Sequence, residues 1–371
     1  MTLLDRYILR TLVMNYIIAL LVMISLYLVL DLFFNIDEFT EQGTGSAEML
    51  RNVGTYYGAF IFLYFSQISG VVTLLACAIT LARMRKLNEL TAMASSCISL
   101  HRVTVLVLAF GLVTTGLWLL DTEFVIPSIA HQLARRRDDP TGQKSYGVWF
   151  VPDRGGAALL CAQEFVPREQ KLRRVLILHR DNSDVFDEFI EADEAIWVPV
   201  PGREAGGYWR LERGLRRSRV KSADKIGPNE DVQTLVAPGY QSDLDPDSIQ
   251  LRLSAQWIKY LSFRQLSQLV SHSPADAAEI QQIKQARFTT PITSLILLML
   301  GIPFFLNRAP GSVLSDGAKC LVVCGACFLV AFACQHMMRA GLSGWMGWLA
   351  AWLPVVLFAP PAVVLIDRVK T

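Results

Sequence analysis

Six stretches of this chain carry no charged side chain over lengths that match the hydrocarbon core of a bilayer. They are residues 11–30, 53–82, 103–120, 288–307, 320–338 and 340–366, and His336 is the one titratable group of the His type inside them. A membrane-crossing helix needs about 20 apolar residues, with a range of about 17–25. One such run could be the core helix of a soluble domain, but six of them point to six transmembrane helices, three before residue 121 and three after residue 287. Composition agrees: 52% of the residues are hydrophobic and 18% are charged, against about 25% charged in an ordinary soluble domain. That excludes a disordered chain. A net charge of +2 gives no global field for nucleic acid, so no nucleic-acid partner is expected.

The first apolar run is too long for a signal peptide, and Asp31-Leu32-Phe33-Phe34 behind it offers no small-residue cleavage site, so it reads as a retained helix. Arg6 and Arg10 precede that helix. Arg83, Arg85, Lys86 and Arg102 surround the loop between the second and third spans, and Arg308, Lys319, Arg368 and Lys370 mark later turns and the tail. The first loop instead carries Asp37, Glu38, Glu41 and Glu48 against Arg51. Because Lys and Arg in short loops stay on the cytoplasmic side, both termini are expected in the cytoplasm and residues 121–287 outside it.

That central segment holds 23 of the 35 Lys and Arg and 24 of the 33 Asp and Glu. Residues 146–151, 157–165, 173–179, 194–200 and 208–212 alternate in the manner of short strands. Pro/Gly/Asp clusters separate them, and Trp149, Trp197 and Trp209 sit at their centres. The pattern predicts an all-β, jelly-roll-like domain. Ser262 opens a capped helix through Val270, residues 275–287 read as a helix running into the fourth span, and residues 130–137 extend the third span.

Little in the sequence suggests chemistry. Six of the seven cysteines lie in or beside the spans and only Cys161 in the inserted domain, which argues against a disulfide framework. Cys324-Gly-Ala-Cys327 reads as small residues packing between helices. Gly311 to Lys319 imitates a phosphate loop with the wrong spacing. His101, His131, His179, His272 and His336 are scattered and read as surface or packing residues. No catalytic residue, metal site or bound cofactor is expected, and the charge-free helix interiors disfavour ion-coupled transport. Energy for any transport is expected from a partner.

The loop after the second span reads Arg83-Met-Arg-Lys-Leu-Asn-Glu89-Leu-Thr-Ala-Met93-Ala-Ser-Ser-Cys97-Ile-Ser99. Leu87, Leu90 and Ala94 share a helical face, with Glu89 and Met93 flanking, so a short amphipathic helix is predicted over about residues 86–95. An interfacial helix lying on lipid and a helix docking into an ATPase both suit it.

This loop resembles the pattern N-E-L-T-A-M-x-A-S-G-I-S of the LptF/LptG permeases of the lipopolysaccharide transporter. The opening Leu4-Asp5-Arg6-Tyr7-Ile8 is similar too, and closer to the LptG branch. So are Gly147-Val-Trp149, Tyr208-Trp-Arg-Leu211, Leu261-Ser-Phe263, Arg287-Phe288 with Pro291, and Gly301-Ile-Pro303. The resemblance spans nearly the whole chain. It implies six transmembrane helices (residues 1–120 and 288–371) around an inserted periplasmic β-jellyroll (121–287). It also implies a multi-pass protein of the bacterial inner membrane, paired with an LptF-like paralogous permease and an LptB-like ATPase dimer that uses ATP. An LptC-like periplasmic protein would receive lipopolysaccharide or a related glycolipid. By the same resemblance Glu89, with Leu90 and Met93, would couple to the ATPase, and Asp31, Phe33 and Phe34 at the end of the first helix would form a lipid gate beside the fifth.

Two departures stand out. Cys97 occupies the family's glycine position, and the outer end of the first helix is acidic at Asp31, Asp37 and Glu38. Acidic groups repel a phosphorylated lipid, so a less anionic glycolipid is the alternative cargo. A membrane-anchored lipid-binding or assembly scaffold without transport is the alternative function.

Overall fold

The structure, a computed structural model, describes residues 3–36, 46–134, 145–153, 156–180, 186–199, 207–219, 232–254, 256–270, 277–306, 312–339 and 345–367. In chain order the helices are α1 (Leu3–Phe34), α2 (Ser46–Lys86), α3 (Glu89–Ser95), α4 (Leu100–Leu120), α5 (Pro246–Arg252), α6 (Phe263–Val270), α7 (Ala277–Leu306), α8 (Val313–Arg339) and α9 (Trp345–Asp367). The strands are β1 (Tyr146–Asp153), β2 (Ala158–Val166), β3 (Lys171–Arg180), β4 (Phe186–Pro199), β5 (Gly207–Glu212), β6 (Leu215–Arg219), β7 (Val232–Val236) and β8 (Gly239–Ser242). Six helices, α1, α2, α4, α7, α8 and α9, are long and apolar enough to cross a membrane. The all-β region is inserted between the third and fourth of them.

Two compact units result. One comprises Met1–Ile36, Phe60–Pro127 and Asp276–Thr371, the other Asp37–Ala59 and Ser128–Ala275. The helices outrun the charge-free segments. α7 starts at Ala277 and takes in Glu279, Lys284 and Arg287. Beyond α4 the chain turns once as a π-helix, Asp121–Val125, and resumes as α-helix at Ile126–Ser128. Charged residues stay helical because they find partners: Arg287 Nη1 donates to Glu123 Oε1. A segment without charge marks the hydrocarbon crossing, whereas the helix ends where its backbone bonds do. Of residues 130–137, Ala130–Leu133 is helical, and 135–137 lie outside the described residues, as do Asp37 and Glu38.

The helical unit packs around Ile8, Leu12, Val72, Leu81, Val103, Val107, Leu298 and Cys327, each no more than 1% exposed. Water does not drive helices together in lipid, so close contact does. Gly70 shows how close: a Cβ there would lie 2.6 Å from Ser294 Oγ. Cys324 Sγ lies 3.9 Å from Cys320 Sγ, and the cysteines of α8 are buried packing residues. The residues resembling a phosphate loop are helical from Val313 onward.

The inserted sheet is antiparallel throughout, in the order β1-β2-β3-β4-β5-β8, with β6 on β4 and β7 on β6. β4 is long enough to face two partners. Its end pairs with β5 (Glu194 opposite Glu212) and its start with β6 (Glu191 opposite Leu215), in one unbroken register. β5 and β6 are therefore one strand interrupted at Arg213-Gly214, where Arg213 has φ 54°. Gly214 is required there, because a Cβ would stand 2.2 Å from Ala237 O. Such interruptions let a sheet bend. The core collects Val148, Leu160, Phe165, Leu172, Ile177 and Trp209. Trp209 is fully buried, and its Nε1 donates to Leu244 O at 3.0 Å. Ser262 and Gln265 cap α6 reciprocally: Gln265 N donates to Ser262 Oγ and Ser262 N to Gln265 Oε1, the two-way bond of a capping box.

Candidate functional site

The loop singled out by sequence folds as predicted in kind, but α3 is shorter than residues 86–95. Leu87 and Asn88 form a turn, and Asn88 sits at φ 57°. Asn tolerates that left-handed conformation better than most side chains, so α2 ends and α3 starts anew at Glu89. At the other end Cys97 has φ 58°. This left-handed conformation is one that glycine adopts without strain. Ile98 N then closes onto Met93 O at 3.0 Å, and Ser99 caps α4 by accepting from His101 N.

Leu90 and Met93 are each 7% exposed and belong to the core of the helical unit. They anchor α3 in its own chain, while Thr91, Ala92 and Ser95 are exposed and Glu89 is half-buried. Glu89 Oε1 accepts from Tyr7 Oη at 2.9 Å. Its other oxygen, Oε2, is buried and has no hydrogen-bond partner among the described residues.

Two carboxylates, Asp5 and Asp316, are ion-paired at this corner. Asp5, on α1, takes both Arg102 Nε and Nη2 at 2.9 Å. Asp316, on α8, accepts from Arg85 Nη1 and, at 3.1 Å, from Lys319 Nζ. The forked Arg102–Asp5 geometry fixes orientation as well as distance. The opening Leu4-Asp5-Arg6-Tyr7-Ile8 and the loop after α2, separate motifs in sequence, are thus one assembly. Asp5 holds the start of α4, Tyr7 holds Glu89, and Ile8 is 1% exposed in the core beneath them. Sequence reasoning missed Tyr7 and Asp5 as site residues, although the resemblance had already singled out the segment that carries them.

The other end of α1 behaves differently. Its buried residues are Asp5, Ile8, Leu12, Tyr16 and Ala19, one stripe at helical spacing that then stops. Leu21, Val22, Leu26, Val29 and Leu30 are all exposed by about half or more. Phe33 and Phe34 are 73% and 78% exposed, with ring centroids 5.7 Å apart. Asp31 is half-buried, and Tyr64 Oη stands 3.5 Å from its Oδ2 while Asn35 Nδ2 donates to its backbone oxygen at 2.6 Å. Tyr27 packs on Tyr64 at 4.3 Å. The three expected gate residues therefore share one end of α1, with the aromatic pair outward and the carboxylate turned toward α2. In the sheet, β1 carries a second exposed aromatic pair, Trp149 and Phe150, at 65% and 62%. Cys161 is buried behind them, its Sγ accepting from Phe150 N. No group of His, Cys, Asp and Glu suited to a metal ion occurs among the described residues.

Compared with known proteins, the sequence matches the family described as lipopolysaccharide export system permease LptF/LptG over residues 6–368. No curated protein matches it.

Proposed function

Because the chain belongs to the lipopolysaccharide export system permease LptF/LptG family, we propose that it is one permease half of an ATP-driven exporter. Such a subunit extracts lipopolysaccharide or a related glycolipid from the outer leaflet of the inner membrane and passes it to a periplasmic β-jellyroll bridge. The observation that carries this reading is the family match over nearly the whole chain, on a fold of six apolar helices with an inserted antiparallel sheet. The protein is a multi-pass membrane permease, not an enzyme.

In the proposed arrangement the ends carrying Arg83, Lys86 and Lys319 face the cytoplasm. There α3 meets an LptB-like ATPase dimer through its exposed Thr91, Ala92 and Ser95, and Glu89 turns its unpartnered Oε2 outward to a donor from the ATPase. Leu90 and Met93 act from behind, transmitting displacement of α3 into the helix core. ATP closes the ATPase, α3 moves, and the cavity shared with an LptF-like permease narrows. This chain would be the LptG-like half, on the strength of its opening segment. Lipid enters beside the exposed end of α1, past Phe33 and Phe34. An LptC-like periplasmic protein takes the lipid onward, and the exposed Trp149 and Phe150 on β1 offer it an apolar contact.

A tagged chain isolated from its native membranes, with mass spectrometry of bound proteins and lipids, tests this. An ATPase subunit, a second permease and a glycolipid are expected together. A chain that carries lipid but never an ATPase would support the scaffold reading in its place.

A further inference from the structure

A cavity of about 110 Å³ lies among α2, α4, α7 and α8, and none of the residues lining it is ionisable. Its floor is nonetheless polar. Ser66, Thr73, Thr114, Thr115 and Ser294 line it, and each directs its hydroxyl proton at a carbonyl of its own helix. The acceptors are the oxygens of Leu63, Ser69, Gly111 (twice) and Thr290, at 2.9, 2.9, 2.9, 2.8 and 3.0 Å. A hydroxyl has one proton and two lone pairs. With the protons committed to the backbone, these side chains offer mainly acceptors. Thr290 and Thr293 add further hydroxyls to the lining.

The mouth is of another kind. Val71 on α2 and Phe328 and Phe332 on α8 line the cavity and are 37%, 47% and 51% exposed, with the neutral amides of Gln67 and Gln335 exposed beside them. All belong to helices that cross the membrane, so what enters this mouth comes from the bilayer.

An acceptor-rich floor behind an uncharged, largely apolar mouth selects a guest. A phosphate or carboxylate would find no cation, only the neutral side-chain amides of Gln67 and Gln335. A metal or ammonium ion would find no carboxylate. A plain acyl chain would leave the hydroxyls without new partners. A lipid with an uncharged donor satisfies both surfaces, its hydroxyl or amide N–H on the floor and its chain at the mouth.

We propose that this cavity is a lipid subsite for an uncharged hydrogen-bond donor, a hydroxyl or an amide N–H. It rests on the reading that the chain handles lipid, and it deepens that reading. One contact of the cargo is chosen by neutral hydrogen bonding rather than by charge.

The test uses the full chain, with any co-purifying subunits, in nanodiscs of dioleoylphosphatidylcholine, a lipid without hydrogen-bond donors. Either monoglucosyl diacylglycerol or ceramide is added at low mole fraction, and photo-crosslinkers replace Phe332 and, separately, Phe33. Capture at Phe332 is expected to enrich a probe about tenfold over its mole fraction, the equivalent of about 1.4 kcal/mol. Enrichment of the glucosyl lipid alone assigns the donor to a sugar hydroxyl, and enrichment of ceramide alone to the amide N–H or hydroxyls of the sphingoid backbone. The triple variant Thr115→Val, Thr293→Val, Ser294→Ala keeps the shape and removes three hydroxyls, and it should return capture to the mole fraction at unchanged Tm. Capture of both probes in mere proportion to mole fraction, with the unaltered lining, overturns the proposal and leaves a cavity filled by water or ordinary chains. The Phe33 crosslinker reports lipid entry beside α1 separately, so the two readings fail independently.

Discussion

Glu89 is hydrogen-bonded at one oxygen and unsatisfied at the other. Tyr7 secures Oε1, and Oε2 is buried without a partner. A hydrogen bond to a charged group contributes about 1.5–3 kcal/mol, so Glu89→Lys should weaken ATPase association about tenfold or more while membrane insertion is kept. Quantitative pull-down from membranes measures this, and a variant with normal association and normal lipid release would return Glu89 to the role of a solvated residue. Cys97 offers a test of opposite sign. A side chain at φ 58° costs about 1–2 kcal/mol that glycine avoids, so Cys97→Gly should raise the Tm of the purified protein. An unchanged or lower Tm would mean the turn relaxes around the cysteine at no cost.

At the scale of elements, α1 is two helices in one. Leu12 is fully buried and Val22 is 59% exposed. Leu12→Ala should cost about 2–5 kcal/mol, and Val22→Ala less than about 0.5 kcal/mol, read as thermal unfolding in detergent. Equal losses would contradict the stripe that ends at Ala19. Much of this level was legible beforehand. Each of the six charge-free runs marks one spanning helix, because hydrocarbon tolerates no unpaired charge. Five strands were visible as alternating segments. β6, β7 and β8 were not, for a physical reason. Leu215-Arg-Arg-Ser-Arg219 has too few apolar residues to show a period, and it is paired by charge, Arg216 with Glu188 and Arg217 with Glu191 across the sheet. Nor could spacing show that Leu90 and Met93 face inward while Leu87, expected on the same face as Leu90, is 55% exposed. Asn88 breaks the helix between them and resets its phase.

For the whole molecule, the orientation proposed from loop charge can be checked by labelling. Cys161 is a poor reporter because it is buried. An exposed sheet residue such as Leu235, 58% accessible, serves better. Leu235→Cys should react with an impermeant thiol reagent from the periplasmic side, and reaction only after the membrane is opened would invert the topology. The neutral cavity was half legible. Ser66, Gln67 and Ser69 are polar residues inside the second charge-free run, and only the fold shows that hydroxyls from α4 and α7 join Ser66 on one floor. The uneven burial of α1 has a mechanical consequence. Arg102–Asp5 and the contacts down to Ala19 make its first part a clamped beam, and the remainder is a lightly braced extension that meets α2 through Tyr27 and Asp31 at Tyr64. At 1.5 Å per residue the lightly braced part, from Ala19 to Phe34, is about 22 Å long. A tilt of about 10° at the clamp would then carry its tip sideways by about 4 Å, close to the width of one acyl chain, with no packed side chain in the clamp having to change its neighbours.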